Sequence, residues 1–352
     1  MTIAWVDTVT IDDDLLHLDL LGPTLARGTG DDRWLSLSAA LIPGGKSNLT
    51  FEITSEAGSA IVRRPPSGGV LPSAHDMVRE ARVQSALWTT SVPVAKILMV
   101  HTKSDVMGAP FYVMEKVPGS VMRDEIPRGY ADSPNEKKGI ANTLIDVLAE
   151  LHSIDPESIG LGDFGKPEGY LERQLKRWGQ QWELTKTFEV KALDELAGRL
   201  RQLLPRTSLS SIVHGDYRLD NCMMSLDTPS VMNAVLDWEL SSLGDPLSDL
   251  GLALFYWREA FDIPLSLIPR ITGTAGFPAR SHLAERYALK TETDLYRSTF
   301  YEAFARYKYA VIAQGILVRG LNGVMAGQTF GDLKTEIVAV ADEGLRLALQ
   351  SG

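Results

Sequence analysis

The hydrophobic pattern of this 352-residue chain changes period near residue 118, and that change limits the fold more than any other feature. Before it, apolar residues alternate. In "NLTFEIT" the side chains of Leu49, Phe51 and Ile53 fall on one face, and Asn48, Thr50, Glu52 and Thr54 on the other, which is the period of a half-buried strand. "WLSLS" (34–38) reads the same way. "AIVRR" (60–64), "VAKIL" (94–98) and "FYVMEKV" (111–117) bring the predicted strands to five, with turn residues at Gly44-Gly45, Glu56 to Ser59 and Asp105 to Ala109. One helix interrupts them, with Ser73 as its cap, Asp76 in capping-box register, and an end at about Leu87.

After "VPGS" (117–120) the period becomes helical. Ile140, Leu144, Val147 and Leu151 share one helix face, as do Leu193, Leu196, Leu200 and Leu203 until Pro205 stops them. One exception lies in the middle, where Cys222 to Ser225 and Val231 to Leu236 flank "LDTPS" and predict a short hairpin. The expected architecture is therefore α+β. A small five-stranded antiparallel sheet lobe, residues 1–117 with a lead-in over 1–32, joins a larger helical lobe, residues 118–352, and a cleft at the junction is the expected ligand site.

Composition narrows the partners. Thirty-five basic against 45 acidic residues leave a net charge of −10, which disfavours nucleic acid and anionic membrane surfaces. Cys222 is the sole cysteine, so neither an intrachain disulfide nor a thiolate zinc cluster can form, which suits a reducing compartment. The first twenty residues carry acids where a secretory signal would carry bases, and no apolar run approaches the roughly 20 residues that span a bilayer. A cytoplasmic location is expected, and the oligomeric state is left open.

The chemistry concentrates in "IVHGDYRLDN" (212–221). Asn221 stands where the first strand of the hairpin begins and Asp237 where the second ends, so the fold-back brings both to its open end. Neighbouring strands lie about 4.8 Å apart, and Mg²⁺ binds oxygen at about 2.0 to 2.1 Å. One ion could reach both side chains. Asp216, on the same loop, is then a candidate base for whatever that ion carries.

"HGDYRLDN" followed by "VLDWELSSLGDPLSDLG" resembles the catalytic loop and metal-binding segment of the aminoglycoside phosphotransferase family, relatives of protein kinases. The resemblance implies a protein-kinase-like two-lobed fold. It also implies that Asp216 orients and deprotonates an acceptor hydroxyl, that Asn221 and Asp237 hold Mg²⁺, and that His214 buttresses the loop. Asp245 before Pro246 reads as a helix cap and Asp249 as a brace for the loop, while Arg218, which could steady substrate or acidic neighbours, and Asp220, a solvated loop residue, are left unassigned.

The first lobe should contact the nucleotide. "PGGKSN" is not a P-loop, because Ala40 stands where that motif needs glycine and a strand follows where it needs a helix. As a glycine turn between strands it matches the loop that covers ATP phosphates in kinase-like folds, which makes Gly45, Lys46, Ser47 and Asn48 candidate phosphate contacts. In the same fold a strand lysine reaches the phosphates and pairs with a helix glutamate. Arg63 and Glu80 take those places here, and the arginine departs from the usual pattern. "FYVMEKVPG" resembles the adenine-binding hinge, with the Glu115 carbonyl and Val117 N–H on the base edge and Met114 behind it.

The likeness runs from about residue 40 to about 330, and it is nearest to a branch whose members occur alone or fused to acyl-CoA dehydrogenases, through "GGKSNLTFEI", "VRRPPSGGVLPSAHDMVREARV" and "LERQLKRW". It implies an ATP- and Mg²⁺-dependent phosphotransferase whose partner is a small-molecule hydroxyl, on an aminoglycoside-like antibiotic or a hydroxyacyl metabolite. Trp178 and Trp182, one turn apart, read as core, and His152 as structural. Two other readings stand beside it: a nucleotide-binding pseudokinase, motivated by Arg63, and a metal-dependent hydrolase built from His214, Asp216 and Asp220.

Overall fold

The computed structural model describes residues 15–43, 48–66, 76–205, 210–296, 298–322 and 330–350. The chain divides into two compact units, the first comprising residues up to Pro118 together with Ala234–Glu239, the second Gly119–Asn233 and everything from Leu240 onward.

The first unit is built on α1 (Leu18–Thr29), β1 (Ser38–Leu41), β2 (Leu49–Ser55), β3 (Gly58–Arg64), α2 (Met77–Leu87), β4 (Ile97–His101) and β5 (Phe111–Glu115). Its five strands form one sheet of order β1-β2-β3-β5-β4, antiparallel at every neighbouring pair. Both faces are covered. Phe51, Ile53, Val62 and Phe111 pack with Leu21 and Leu25 of α1 on one side, and Ile61, Tyr112 and Met114 pack with Met77 and Ala81 of α2 on the other. Each such side chain taken from water contributes about 1.5–3 kcal/mol. The alternation also settles where Arg63 points: two residues after Ile61, it shares the face that α2 covers.

Three local expectations need correction. The first strand begins at Ser38, because Asp31 accepts hydrogen bonds from the Arg33 N–H and guanidinium and closes a 3₁₀ turn over Asp32–Trp34, burying Trp34. The fourth begins at Ile97; upstream the Pro93 carbonyl accepts from Val235 N at 2.8 Å instead of from a strand of the sheet, while the Lys96 carbonyl still reaches β5, through Glu115 N. The helix begins at Met77, with Asp76 itself as the cap accepting from Arg79 N. Ser73 lies outside the described residues.

The second unit contains β6 (Ser120–Val121), α3 (Pro134–Ser153), α4 (Tyr170–Thr185), α5 (Lys191–Gln202), β7 (Ser211–Val213), β8 (Cys222–Met224), the first two residues of β9 (Met232–Val235), whose last two count with the first unit, β10 (Ser242–Gly244), α6 (Pro246–Tyr256), α7 (Arg280–Thr291), α8 (Ser298–Leu321) and α9 (Leu333–Gln350). The expected hairpin is present as β8 and β9, its turn closed by Ser225 N to the Val231 carbonyl at 2.9 Å. A capping box of Ser133 and Glu136 starts α3, whose stripe runs through Ile140, Leu144, Leu148 and Leu151. Val147 is only half-buried, because spacings of four, four and three keep Leu148 nearer the stripe. Every residue of α6 is buried, which marks it as the central helix of the unit. Among the described residues, no helix is long and apolar enough to cross a membrane.

Candidate active site

The second unit holds the loop 214–221. It leaves β7 directly, and β7 pairs antiparallel with β10, which runs into α6. Asp245 caps α6 through Leu247 N at 3.0 Å, with Pro246 in the first turn where its missing N–H costs nothing. One turn on, the buried Asp249 turns back to the loop. Its Oδ2 accepts from His214 N at 2.5 Å and its Oδ1 from Gly215 N at 2.9 Å. Behind it, His152 Nε2 is 3.4 Å away, and His152 Nδ1 is 2.6 Å from the Tyr287 hydroxyl. Burial opposes the Asp249 charge, yet His152, His214 and the Gly215 amide hold its carboxyl below the usual aspartate value.

These contacts fix the residue that matters. Gly215 has φ +84°, and a Cβ there would stand 2.6 Å from the Leu240 carbonyl oxygen, so only glycine fits without strain. Asp216 N donates to His214 Nδ1 at 3.2 Å. Asn221 Nδ2 donates both to the Asp216 carbonyl at 2.9 Å and to its carboxylate at 3.1 Å. Tyr217, fully buried, anchors the next position on the Leu144 carbonyl at 2.7 Å. Arg218 chelates Asp220 through Nε and Nη2 and lies over the Tyr256 ring, 4.3 Å from its centroid. The phenol of Tyr256 is pushed well up by burial and by the neighbouring Asp216 charge.

The first unit holds the other cluster. Arg63 Nη2 is 2.9 Å from Asp237 Oδ1 and 3.3 Å from Glu80 Oε1. Burial works against the Arg63 charge, but Tyr112, Glu80 and Asp237 together keep its pKa above the ordinary value. Burial pushes the Glu80 carboxyl up, and Arg63 opposes that shift. Arg63 Nε is buried with no hydrogen-bond partner among the described residues, a donor of the kind that planar anions satisfy. Asp237 follows β9 with φ +66°, a left-handed backbone uncommon outside glycine and asparagine.

The remaining expected residues lie as follows. Gly45, Lys46 and Ser47 are outside the described residues. Asn48 is buried, its Nδ2 3.2 Å from Glu239 Oε2. Met114 lies in the α2-side core, Glu115 gives its N–H to the Lys96 carbonyl at 2.8 Å, and Val117 packs against that core past the end of β5. Trp178 and Trp182 are buried, as their spacing suggested.

Sequence reasoning missed three participants. Tyr112 pairs with Arg63 in the β3–β5 register and is buried beside it. Tyr256 approaches Asp216 from the end of α6. Lys308 on α8 donates from Nζ to the Gly215 carbonyl. Only Tyr112 carried a signal, as a hydroxyl-bearing residue within the apolar run of β5; the other two read as ordinary helix residues.

The donors fit the groups that the family chemistry requires. An amide oxygen on Asn221 and a carboxylate on Asp237 are hard ligands of the kind Mg²⁺ takes together with phosphate and water. Among the described residues, no group of three or more His, Cys, Asp or Glu side chains that could hold a metal is found.

Comparison with known proteins identifies the family and the fold. Residues 38–280 match the family model described as "Phosphotransferase enzyme family". Acyl-CoA dehydrogenase family member 11 of Rattus norvegicus is 35% identical over 326 residues, covering 91% of this chain and 41% of that protein. The chain thus spans about two fifths of the length of that relative. A crystal structure from Ralstonia eutropha, nominally of an aminoglycoside phosphotransferase, is 35% identical and superposes with a TM-score of 0.76 over 90% of this chain and 93% of that one. A thermostable mutant of aminoglycoside phosphotransferase APH(4)-Ia, solved with ADP and hygromycin B, shares the fold at 14% identity, with a TM-score of 0.59 over 94% and 98% of the two chains.

Proposed function

Because the chain belongs to the phosphotransferase enzyme family, we propose that it moves the γ-phosphoryl group of ATP to a hydroxyl of a small molecule. Asp216 takes the proton of the acceptor O–H, the freed oxygen bonds to the γ-phosphorus, and the bond from that phosphorus to the β–γ bridging oxygen breaks, releasing ADP. Asn221 and Asp237 hold the Mg²⁺, which neutralises phosphate charge when bound. Arg63 holds phosphate oxygens in the place of the usual lysine, steadied by Glu80, and its unpartnered Nε supports that assignment. The glycine turn Gly45 to Asn48 covers the phosphates, and the Glu115 to Val117 segment receives the adenine with Met114 behind it.

The observation that carries the reading is the fixed carboxylate of Asp216. Its preceding N–H, its own carbonyl and one carboxylate oxygen are each hydrogen-bonded, so the group is aimed before any substrate arrives. For the acceptor, the relatedness to acyl-CoA dehydrogenase family proteins favours a hydroxyacyl metabolite over an aminoglycoside. The test is ADP release from Mg-ATP across a panel of aminoglycosides, hydroxy acids and hydroxyacyl-CoA thioesters. Turnover with a hydroxyacyl thioester supports the reading, and ADP release with none of the panel sinks it.

A second reading, a nucleotide-binding pseudokinase, is favoured by one contact. Arg63 sits 2.9 Å from Asp237, so the arginine already neutralises a carboxylate meant for metal. Nucleotide binding without any phosphoryl transfer would select it.

A further inference from the structure

We propose that Lys308 is the positioning residue for Asp216: its ammonium holds the carbonyl of Gly215 and so sets the peptide plane from which Asp216 projects. The inference rests on the assignment of Asp216 as the base.

The peptide unit between Gly215 and Asp216 has two polar ends. Its oxygen accepts from Lys308 Nζ, and its N–H donates to His214 Nδ1. With Gly215 N held by Asp249, every polar atom of the glycine and the amide that follows it is tied to a different anchor. A plane held at both ends cannot rotate, so the φ of Asp216 is set before substrate binds.

The cost of keeping Lys308 where it is argues that it does more than fill space. The side chain is buried, and burial pulls its ammonium below the ordinary lysine value against the attraction of Asp216 and Asp249. Leucine or methionine would pack in the same volume without the desolvation cost of a charge. The surroundings instead compensate that charge from several elements. Trp178 of α4 presents its ring 5.4 Å from Nζ and Asp249 comes from α6, while Arg177 of α4 works against them as a like charge. The hydrogen bond itself goes to a carbonyl rather than to either carboxylate, so the ammonium holds the peptide and not an ion-pair partner.

The test compares Lys308→Met, which keeps the volume, Lys308→Arg, which keeps the charge, and Asp216→Asn in parallel. Hydrogen exchange followed by mass spectrometry should show faster exchange in Lys308→Met confined to peptides spanning 212–221, with the helices protected as in the parent. ADP release from Mg-ATP, counted per nucleotide-binding site, should fall roughly ten- to hundredfold in kcat while KM for ATP holds, and Lys308→Arg should restore part of it. A lysine that served only packing would instead lower the folded fraction and leave kcat per binding site unchanged. Parent-like exchange over 212–221 in Lys308→Met would overturn the proposal, as would parent-like kcat, or loss of nucleotide binding in both Lys308 variants. If Asp216→Asn turns over as fast as the parent, it is the base assignment that fails, whatever the exchange data say.

Discussion

Arg63 and Asp237 lie 174 positions apart in the chain, yet Nη2 of one stands 2.9 Å from Oδ1 of the other. The same guanidinium is 3.3 Å from the buried Glu80. One arginine on β3 therefore bridges a helix carboxylate and a carboxylate that enters the first unit only with residues 234–239.

Removing that bridge should cost stability as well as affinity. Arg63→Ala leaves Glu80 buried without its cation, and breaking a buried pair from one side costs about 3–5 kcal/mol. Thermal melts should show the loss, and adding Glu80→Gln to Arg63→Ala should recover part of it. Calorimetric titration with ADP should find weaker binding in Arg63→Ala than in the parent. Equal affinity would mean that Arg63 does not touch phosphate.

Asp237→Ala addresses the metal. In the parent, ADP affinity should rise on adding Mg²⁺; in the variant that response should disappear, because the carboxylate that would hold the ion is gone. Isothermal titration with and without Mg²⁺ reads the difference directly. A variant that responds to Mg²⁺ as strongly as the parent would remove Asp237 from the metal site.

Asp249→Asn should destabilise the loop. The amide can accept only one of the two N–H bonds that the carboxylate now takes, and a buried N–H left unpaired costs about 1–3 kcal/mol. The pH dependence follows from the direction of the shift. The folded carboxyl titrates below its ordinary 3.8, so its contribution is fully present above 3.8 and is lost as pH falls through the lower folded value. Urea melts should therefore show a gap between parent and variant that is constant near neutral pH and narrows in acid below 3.8. A gap that widened in acid would contradict the assignment.

Gly215→Ala should be costly out of proportion to one methyl. The left-handed backbone costs a side chain about 1–2 kcal/mol, and the added Cβ would meet a backbone oxygen at 2.6 Å, which cannot move like a flexible side chain. Melting temperature and ADP release should both fall while ADP still binds, because the damage lies next to Asp216.

The sequence alone was enough for the strand-rich first part, the helical second part, the hairpin and the loop 212–221, but not for α1 or for the short strands β6, β7 and β10. The former depend on local periodicity, on turn residues and on caps such as Asp245, all of which act within a few positions. It erred where a local polar group competed with the pattern, as Asp31 does by closing a turn over "DRW". It left Arg218 and Asp220 unassigned, because a chelated pair stacked on Tyr256 has no signature before Tyr256 is known to lie there. Only the tertiary structure decided which partners hold the candidate groups. Arg63 with Asp237, Asp249 with the loop amides, and Lys308 with the Gly215 carbonyl join residues 34 to 174 positions apart. Such contacts depend on how packed elements bring distant side chains within about 3 Å, and no periodicity in the chain encodes that distance.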